Sequence, residues 1–226
     1  MSLPVLVIGG SEQGRQTIDV LELDDRYQVV GVLDASLPVD AEIAGYPVLG
    51  GDESLEPAAA ATGARGFLVA IGDNFTRGRI LARERAANPQ LELVRAVHPS
   101  AVVARSAVVG PGAIVLAGAI VSNEATLGAG VLLGTRASLD HDSRLGACAS
   151  LAPSATTGGA VRIGDHTAVG LGANIVHGVS IGDHTVVGAG ALVLTDLPDH
   201  VVAFGVPARV QRGRADGEPY LAPIVR

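Results

Sequence analysis

The sequence predicts two linked units of different construction. A small parallel α/β unit spans residues 1–97, a parallel β-helix of six-residue repeats spans 98–210, and a tail runs from 211 to 226. Three observations carry this. Short apolar runs alternate with helix-like stretches up to about Val97, the pattern of strand–helix–strand units. From Val103 onward an aliphatic residue returns every sixth position. The pentapeptide IGDHT occurs at Ile163 to Thr167 and again at Ile181 to Thr185, eighteen residues later.

In the first unit, LPVLVIG reads as strand one and Gly14 to Leu23 as a helix. YQVVGVLD is strand two, and an Ala-rich helix near Glu53 to Thr62 leads to the strand GFLVAIG. A helix over Phe75 to Ala87 and the run LELVRAV close a small Rossmann-like parallel sheet. In the second unit the aliphatic position runs from Val103 through Val115, Leu127, Leu139 and Leu151 to Val193, with the one exception Thr157 among sixteen. The residue two places earlier is small or β-branched, as at Ala101, Ala113 and Ala125. A six-residue repeat makes one short strand and one corner of a parallel β-helix. Eighteen residues are three such units, so one coil is a triangle.

Composition agrees. Of 226 residues 48% are hydrophobic but only 3% aromatic, so the core is built from Val, Ile, Leu and Ala in thin regular layers, and thirty glycines supply tight turns. The net charge of −7 and the lack of a basic stretch exclude nucleic acid as the main partner. All sixteen basic residues are Arg, which excludes Schiff-base and P-loop lysine chemistry. Cys148 is single, so no internal disulfide or cysteine-rich zinc site can form. No run reaches membrane-spanning length, MSLPVLVIGG has no signal-peptide pattern, and a cytoplasmic protein with no membrane partner is expected.

One short stretch departs from the small, aliphatic repeat: ASLDHDSRLG, Ala137 to Gly146, sets an imidazole between Asp140 and Asp142. Leu139 is the inward position, so His141 falls outward near a corner. One coil further lies Gly159, in TTGGA, which should stack over His141 at the strand spacing of about 4.8 Å. A further coil reaches His177. An exposed imidazole beside bare backbone is a base next to a place a ligand can approach. His166 and His184 repeat with IGDHT and read as turn residues without chemistry.

The order of α/β unit, HPSA junction (His98 to Ala101), hexapeptide prism with DHD at 140–142, and closing GVPARV (Gly205 to Val210) resembles the sugar acetyltransferases related to sialic acid O-acetyltransferase and to the bacillosamine- and perosamine-type nucleotide-sugar N-acetyltransferases. The likeness spans nearly the whole chain. It implies a left-handed β-helix, a homotrimer with active sites between subunits, and acetyl-CoA as co-substrate without a metal. It implies His141 as general base, Asp142 as its orienting carboxylate and the Gly159 amide as the oxyanion donor. Ser150, Gly170, Ala189, Pro207 and Arg209 are the implied acetyl-CoA contacts, Arg209 near the adenine. The glycine-rich GGSEQG (Gly9 to Gly14) places backbone amides at a helix N-terminus, where phosphate is stabilised. Gly10, Ser11, Gln13 and Gly14 are therefore candidates for a nucleotide sugar, with Asp34 after strand two and Ile71, Gly72, Asp73 and Asn74 in AIGDN.

Two positions depart from the family. Ser150 stands where many relatives carry a second histidine, and Gly134 where they carry an asparagine. The implied reaction is acetyl transfer to the 4-amino group of a nucleotide-linked 4-amino-4,6-dideoxy sugar, GDP-perosamine favoured. A UDP-linked 4-amino sugar or a sialic acid hydroxyl is the alternative acceptor. A zinc hydratase like the gamma-class carbonic anhydrases, which use the same prism, and a non-catalytic nucleotide-sensing module are the readings of another class.

Overall fold

The computed structural model describes residues 2–221; the last five positions of the tail, 222–226, lie outside the described residues. The first unit comprises β1 (Leu3–Ile8), α1 (Glu12–Glu22), β2 (Tyr27–Leu33), β3 (Glu42–Ile43), β4 (Tyr46–Pro47), α2 (Leu55–Thr62), β5 (Gly66–Val69), α3 (Asn74–Ala87) and β6 (Glu92–Leu93). The parallel sheet has the order β2-β1-β5-β6. β3 and β4 form a small hairpin that the sequence pattern does not reveal, turning at Ala44 and Gly45 with positive φ. Apolar side chains cover both sheet faces. One face packs with α2 and α3 around Leu6, Phe67 and Ile80. The other packs with α1 and with Ile114 and Leu116 of the second unit, so the two units share a core.

The run LELVRAV is not one strand. Glu92–Leu93 completes the α/β sheet, whereas Ala96–Val97 pairs with Ile114–Val115 and so begins the β-helix, two residues before the expected boundary. Between them Val94 bonds in both directions, donating to Phe67 O and accepting from Gly112 N. No linker separates the units.

The β-helix is a three-sided prism of two-residue parallel strands. Its first face stacks Ala96–Val97, Ile114–Val115 and successive pairs eighteen residues apart to Val186–Val187. The second face runs from Val102–Val103 to Leu192–Val193, and the third from Val108–Val109 to Ser180–Ile181. The second residue of each pair points inward: Val121, Leu133, Leu139 and Leu151 have no exposed surface, and neither do Ala119, Ala137 and Ala155. Thr157 interrupts the aliphatic pattern but not the coil. It stays inside the ladder between Leu139 and Ile175, and its hydroxyl accepts from Asp140 N at 3.0 Å.

Corners follow the same period. Every sixth residue from Gly112 to Gly190 has positive φ, including the non-glycines Asp142, Cys148, His166 and His184. IGDHT owes its repetition to this geometry. Asp165 and Asp183 use Oδ1 to accept the amides of Ala147 and Asp165, one coil below, and Asp199 does the same for Asp183. His166, His184 and His200 stack with ring centroids 4.7 and 5.1 Å apart. Val201–Gly205 and Ala208–Gly213 close the prism as an antiparallel hairpin on the first face.

Arg77 of α3 joins the units and has no exposed surface. Its guanidinium donates to Gly130 O and Cys148 O at the same corner of two successive coils, to Ile71 O and Gly72 O after β5, and to Asn74 Oδ1. Burial pushes its pKa down against the pull of Cys148, Tyr220 and Asp73. Cys148, at a prism corner, lies beneath α3 near Gly78, and burial pushes its thiol up. Among the described residues no helix is long and apolar enough to cross a membrane. Replacing Arg77 with Met leaves several buried carbonyls without donors, each costing about 1–3 kcal/mol. A loss of at least about 3 kcal/mol is expected in chemical denaturation, and Arg77→Lys, which cannot span five acceptors, recovers little of it.

Candidate active site

His141 sits at the corner between the second and third faces, and its two flanking carboxylates divide the work. Asp140 Oδ1 accepts the His141 backbone amide at 2.8 Å, which fixes the corner. Asp142 occupies the positive-φ position, which Asp tolerates better than most residues. Its carboxylate folds back to the ring, with Oδ2 at 2.8 Å from His141 Nδ1. Both side chains stay open, 45% and 59% exposed. The Asp142 hydrogen bond raises the His141 pKa above 6.5; slight burial opposes it, and the charges of Asp140 and Asp142 add to it.

The other edge of the imidazole faces Gly159. A Cβ built on Gly159 would overlap Cε1 and Nε2 of His141, so only glycine fits beneath the ring. The neighbouring Ala160 N donates to His141 O at 2.8 Å and Gly178 N to Gly159 O at 3.0 Å, locking three coils in register. Gly159 N–H donates to no acceptor among the described residues. The His177 ring stands 6.1 Å from that of His141. An imidazole held at Nδ1 by a carboxylate, with its other nitrogen free of any protein donor among the described residues, can take a proton from a nucleophile and hand it to a leaving group.

The remaining candidates gather elsewhere. A mostly apolar groove of about 530 Å³ lies along the first face and the corner between the first and second faces. Ser150, Gly170 and Ala189 line it from the prism, and Gln13 and Gly72 from the α/β unit. Gln16, Leu171, Tyr220 and Leu221, which the sequence reading did not select, line it too. In GGSEQG, Gly14 lets α1 approach the Gly9 carbonyl closer than any Cβ allows, and Ser11 is an exposed N-cap whose side chain makes no cap bond. Gly10 N donates to Asp34 Oδ2 at 2.7 Å, and Asp34 Oδ1 accepts from the amide and hydroxyl of Ser36. Burial pushes Asp34 up, but these hydrogen bonds together hold it below 3.8. Asp34 thus ties two loops together.

Three candidates in AIGDN are structural in this geometry. Asp73 caps α3 by accepting Thr76 N at 2.8 Å, and Ile71 offers its carbonyl to Arg77. Asn74 corrects the sequence reading: its side chain is fully buried and bonds to Ser150 Oγ, Thr167 O and Arg77, so it faces no ligand. Pro207 and Arg209 lie on the exposed closing hairpin, where Arg209 Nη1 donates to Ala208 O.

Within one chain the groove and His141 lie at opposite edges of the second face. Among the described residues no three His, Cys, Asp or Glu side chains are grouped to hold a metal ion.

A prism of six-residue repeats carrying an open His–carboxylate pair beside an unpaired amide defines a hexapeptide-repeat acyltransferase. Residues 4–83 match the PglD N-terminal domain family. PerB from Caulobacter crescentus, solved with CoA and GDP-perosamine, is 39% identical, with 92% of this chain and 97% of that chain covered and a TM-score of 0.85. The acetyltransferase domain of PglB from Neisseria gonorrhoeae FA1090 is 31% identical, with 92% and 98% covered and a TM-score of 0.85; its complex with acetyl coenzyme A is 30% identical. UDP-N-acetylbacillosamine N-acetyltransferase of Bacillus subtilis (strain 168) is 38% identical over 51 residues, and the match spans 23% of that protein's length. The chain belongs to the family of sugar N-acetyltransferases represented by PerB and the PglB domain, and its β-helix is of their left-handed kind.

The raised His141 pKa has a direct check. An NMR titration of the imidazole should give a midpoint above 6.5, and Asp142→Asn, which removes the raising partner, should bring it down. An unchanged midpoint in the variant would mean that Asp142 does not govern the ring.

Proposed function

We propose that this protein transfers acetyl from acetyl-CoA to the 4-amino group of a nucleotide-linked 4-amino-4,6-dideoxy sugar, with GDP-perosamine the favoured acceptor and His141 the general base. One observation carries the reading: His141 is bonded to Asp142 at Nδ1, and its Cε1–Nε2 edge lies against the bare α-carbon of Gly159, whose N–H has no acceptor among the described residues. The 39% identity to PerB, solved with CoA and GDP-perosamine, supports the choice of substrates.

The amine gives a proton to His141 Nε2 as its nitrogen bonds to the thioester carbonyl carbon. The carbonyl oxygen becomes an oxyanion, stabilised by the Gly159 N–H. Asp142 stabilises the imidazolium through Nδ1. Collapse breaks the C–S bond, and the CoA thiolate takes the proton from Nε2. Since proton, acyl group and thiol balance, no acyl-enzyme is required, and Cys148, buried beneath α3 at another corner, has no part.

The separation of groove and base within one chain supports an active site shared between copies. The groove at one edge of the second face would meet His141 from a neighbouring copy, as the family's trimer implies. The pantetheine arm would follow Gly170 and Ala189, where small residues permit close approach, with the adenine toward Pro207 and Arg209. Gln13 and Gly72 would face the sugar nucleotide.

Thiol release measured against a panel of GDP-, UDP- and CMP-linked amino sugars tests the reaction and the acceptor. Release with GDP-perosamine and not with the UDP or CMP sugars is expected; no release with any of them sinks the activity. His141→Ala should keep its fold and lose about 10²–10⁴ in kcat, the usual contribution of a positioned acid–base group. Turnover within about threefold of the parent would remove His141 as the base. Gly159→Val, whose side chain must displace the imidazole, should fall by about 10²-fold or more in kcat while keeping its Tm.

A further inference from the structure

The tail after the closing hairpin has no sequence motif, yet Arg214 to Leu221 is bound along the molecule. Arg214 N donates to His200 O at 2.8 Å, and its Nη1 to His184 O at 2.8 Å. Asp216 Oδ1 lies 3.1 Å from His200 Nδ1 and 3.5 Å from His184 Nδ1, so the stacked histidines of the prism corner hold the tail. Glu218 pairs with Arg212 at 2.6 Å, and Gly217 passes over the Phe75 ring. The segment then descends to the loop after β5. Tyr220 accepts from Asn74 N at 3.2 Å and donates to Gly72 O at 3.4 Å. Leu221 lies over Gly72 and is 56% exposed.

These last two side chains are part of the groove lining. The prism and α1 provide the other walls; Tyr220 and Leu221 line the groove where they meet Gly72, with the Tyr220 hydroxyl also beside Ser150. We propose that residues 214–221 form a specificity strap, in which Tyr220 and Leu221 make the acceptor-side wall of the groove and set how tightly, and which, nucleotide-linked sugar is held. The inference rests on the function proposed above, because that reading places the sugar at Gly72. The strap itself needs no catalytic group. Its apolar surface suits the deoxygenated edge of a 6-deoxy sugar, against which a fully hydroxylated hexose would leave a hydroxyl without a partner.

The test compares the full chain with a chain ending at Gly213 and with Leu221→Ala, a side chain exposed enough that its loss does not threaten folding. Calorimetry measures GDP-perosamine binding without acetyl-CoA, and thiol release measures KM for each substrate. The truncated chain should bind GDP-perosamine about tenfold more weakly and Leu221→Ala about threefold, from lost apolar contact. KM for acetyl-CoA should stay within about twofold in both. GDP-mannose, which carries hydroxyls where the dideoxy sugar does not, should compete better with the truncated chain than with the full one. Equal GDP-perosamine affinity in all three proteins, each verified as folded by its melting transition, overturns the strap while leaving the proposed activity standing. If KM for acetyl-CoA rises instead, the tail belongs to the other substrate and the inference also fails. Absence of binding and turnover in the full chain overturns the activity itself, and the strap with it.

Discussion

A single buried guanidinium holds the two units at one angle. Among the described residues Arg77 has no carboxylate partner in contact; four backbone carbonyls and the Asn74 amide oxygen take the place of water around its charge. Two of them are corner residues of successive coils and two belong to the loop after β5. Its position therefore couples the height of that loop to the coils of the prism. A lysine-type point charge could not satisfy a plane of five acceptors, whereas the forked guanidinium matches it. Because Val94 passes directly from one sheet to the other, the polypeptide adds no slack to this joint. The groove is cut across the joint, so its width follows from the same contacts.

The arrangement around His141 follows from the prism's corner rule. One residue in six must adopt positive φ, and most side chains resist that conformation. Placing Asp there meets the backbone requirement and also returns a carboxylate to the preceding ring. Placing Gly one coil away leaves the space the imidazole occupies. The same positions in IGDHT hold His166 and His184, and there the outcome is a stack that fastens the tail. One geometric slot thus yields a carboxylate folded back on the preceding imidazole at one corner and a clasp of stacked rings at another, according to whether Asp or His fills it.

Much of the prism was legible because its periodicity is strict: eighteen-residue arithmetic places Gly159 under His141 before any coordinate is known. The corner residues were less so, since positive φ leaves no apolar signature when Asp, Cys, Ser or His fills it. The α/β elements were legible as alternating runs, except at LELVRAV, where one apolar stretch serves two sheets. Arg77 could not have been found. Nothing in NFTRGR distinguishes a fully buried arginine from the solvated ones beside it, because burial is decided by carbonyls far along the chain. Asn74 misled for the same reason: a polar residue after a strand suits a ligand loop, and only its partners Ser150 and Thr167 show it facing inward. The tail looked featureless because its anchors are histidines that, one by one, resemble surface residues.

The eighteen-residue coil also limits how such a chain can change length. Adding or removing a whole coil between the joint and His141 slides the imidazole along the column and keeps its glycine neighbour. Any insertion that is not a multiple of three strands turns the imidazole to another side. In this architecture, growth by duplication is quantised, and the distance from the joint to that imidazole can be altered only in whole storeys.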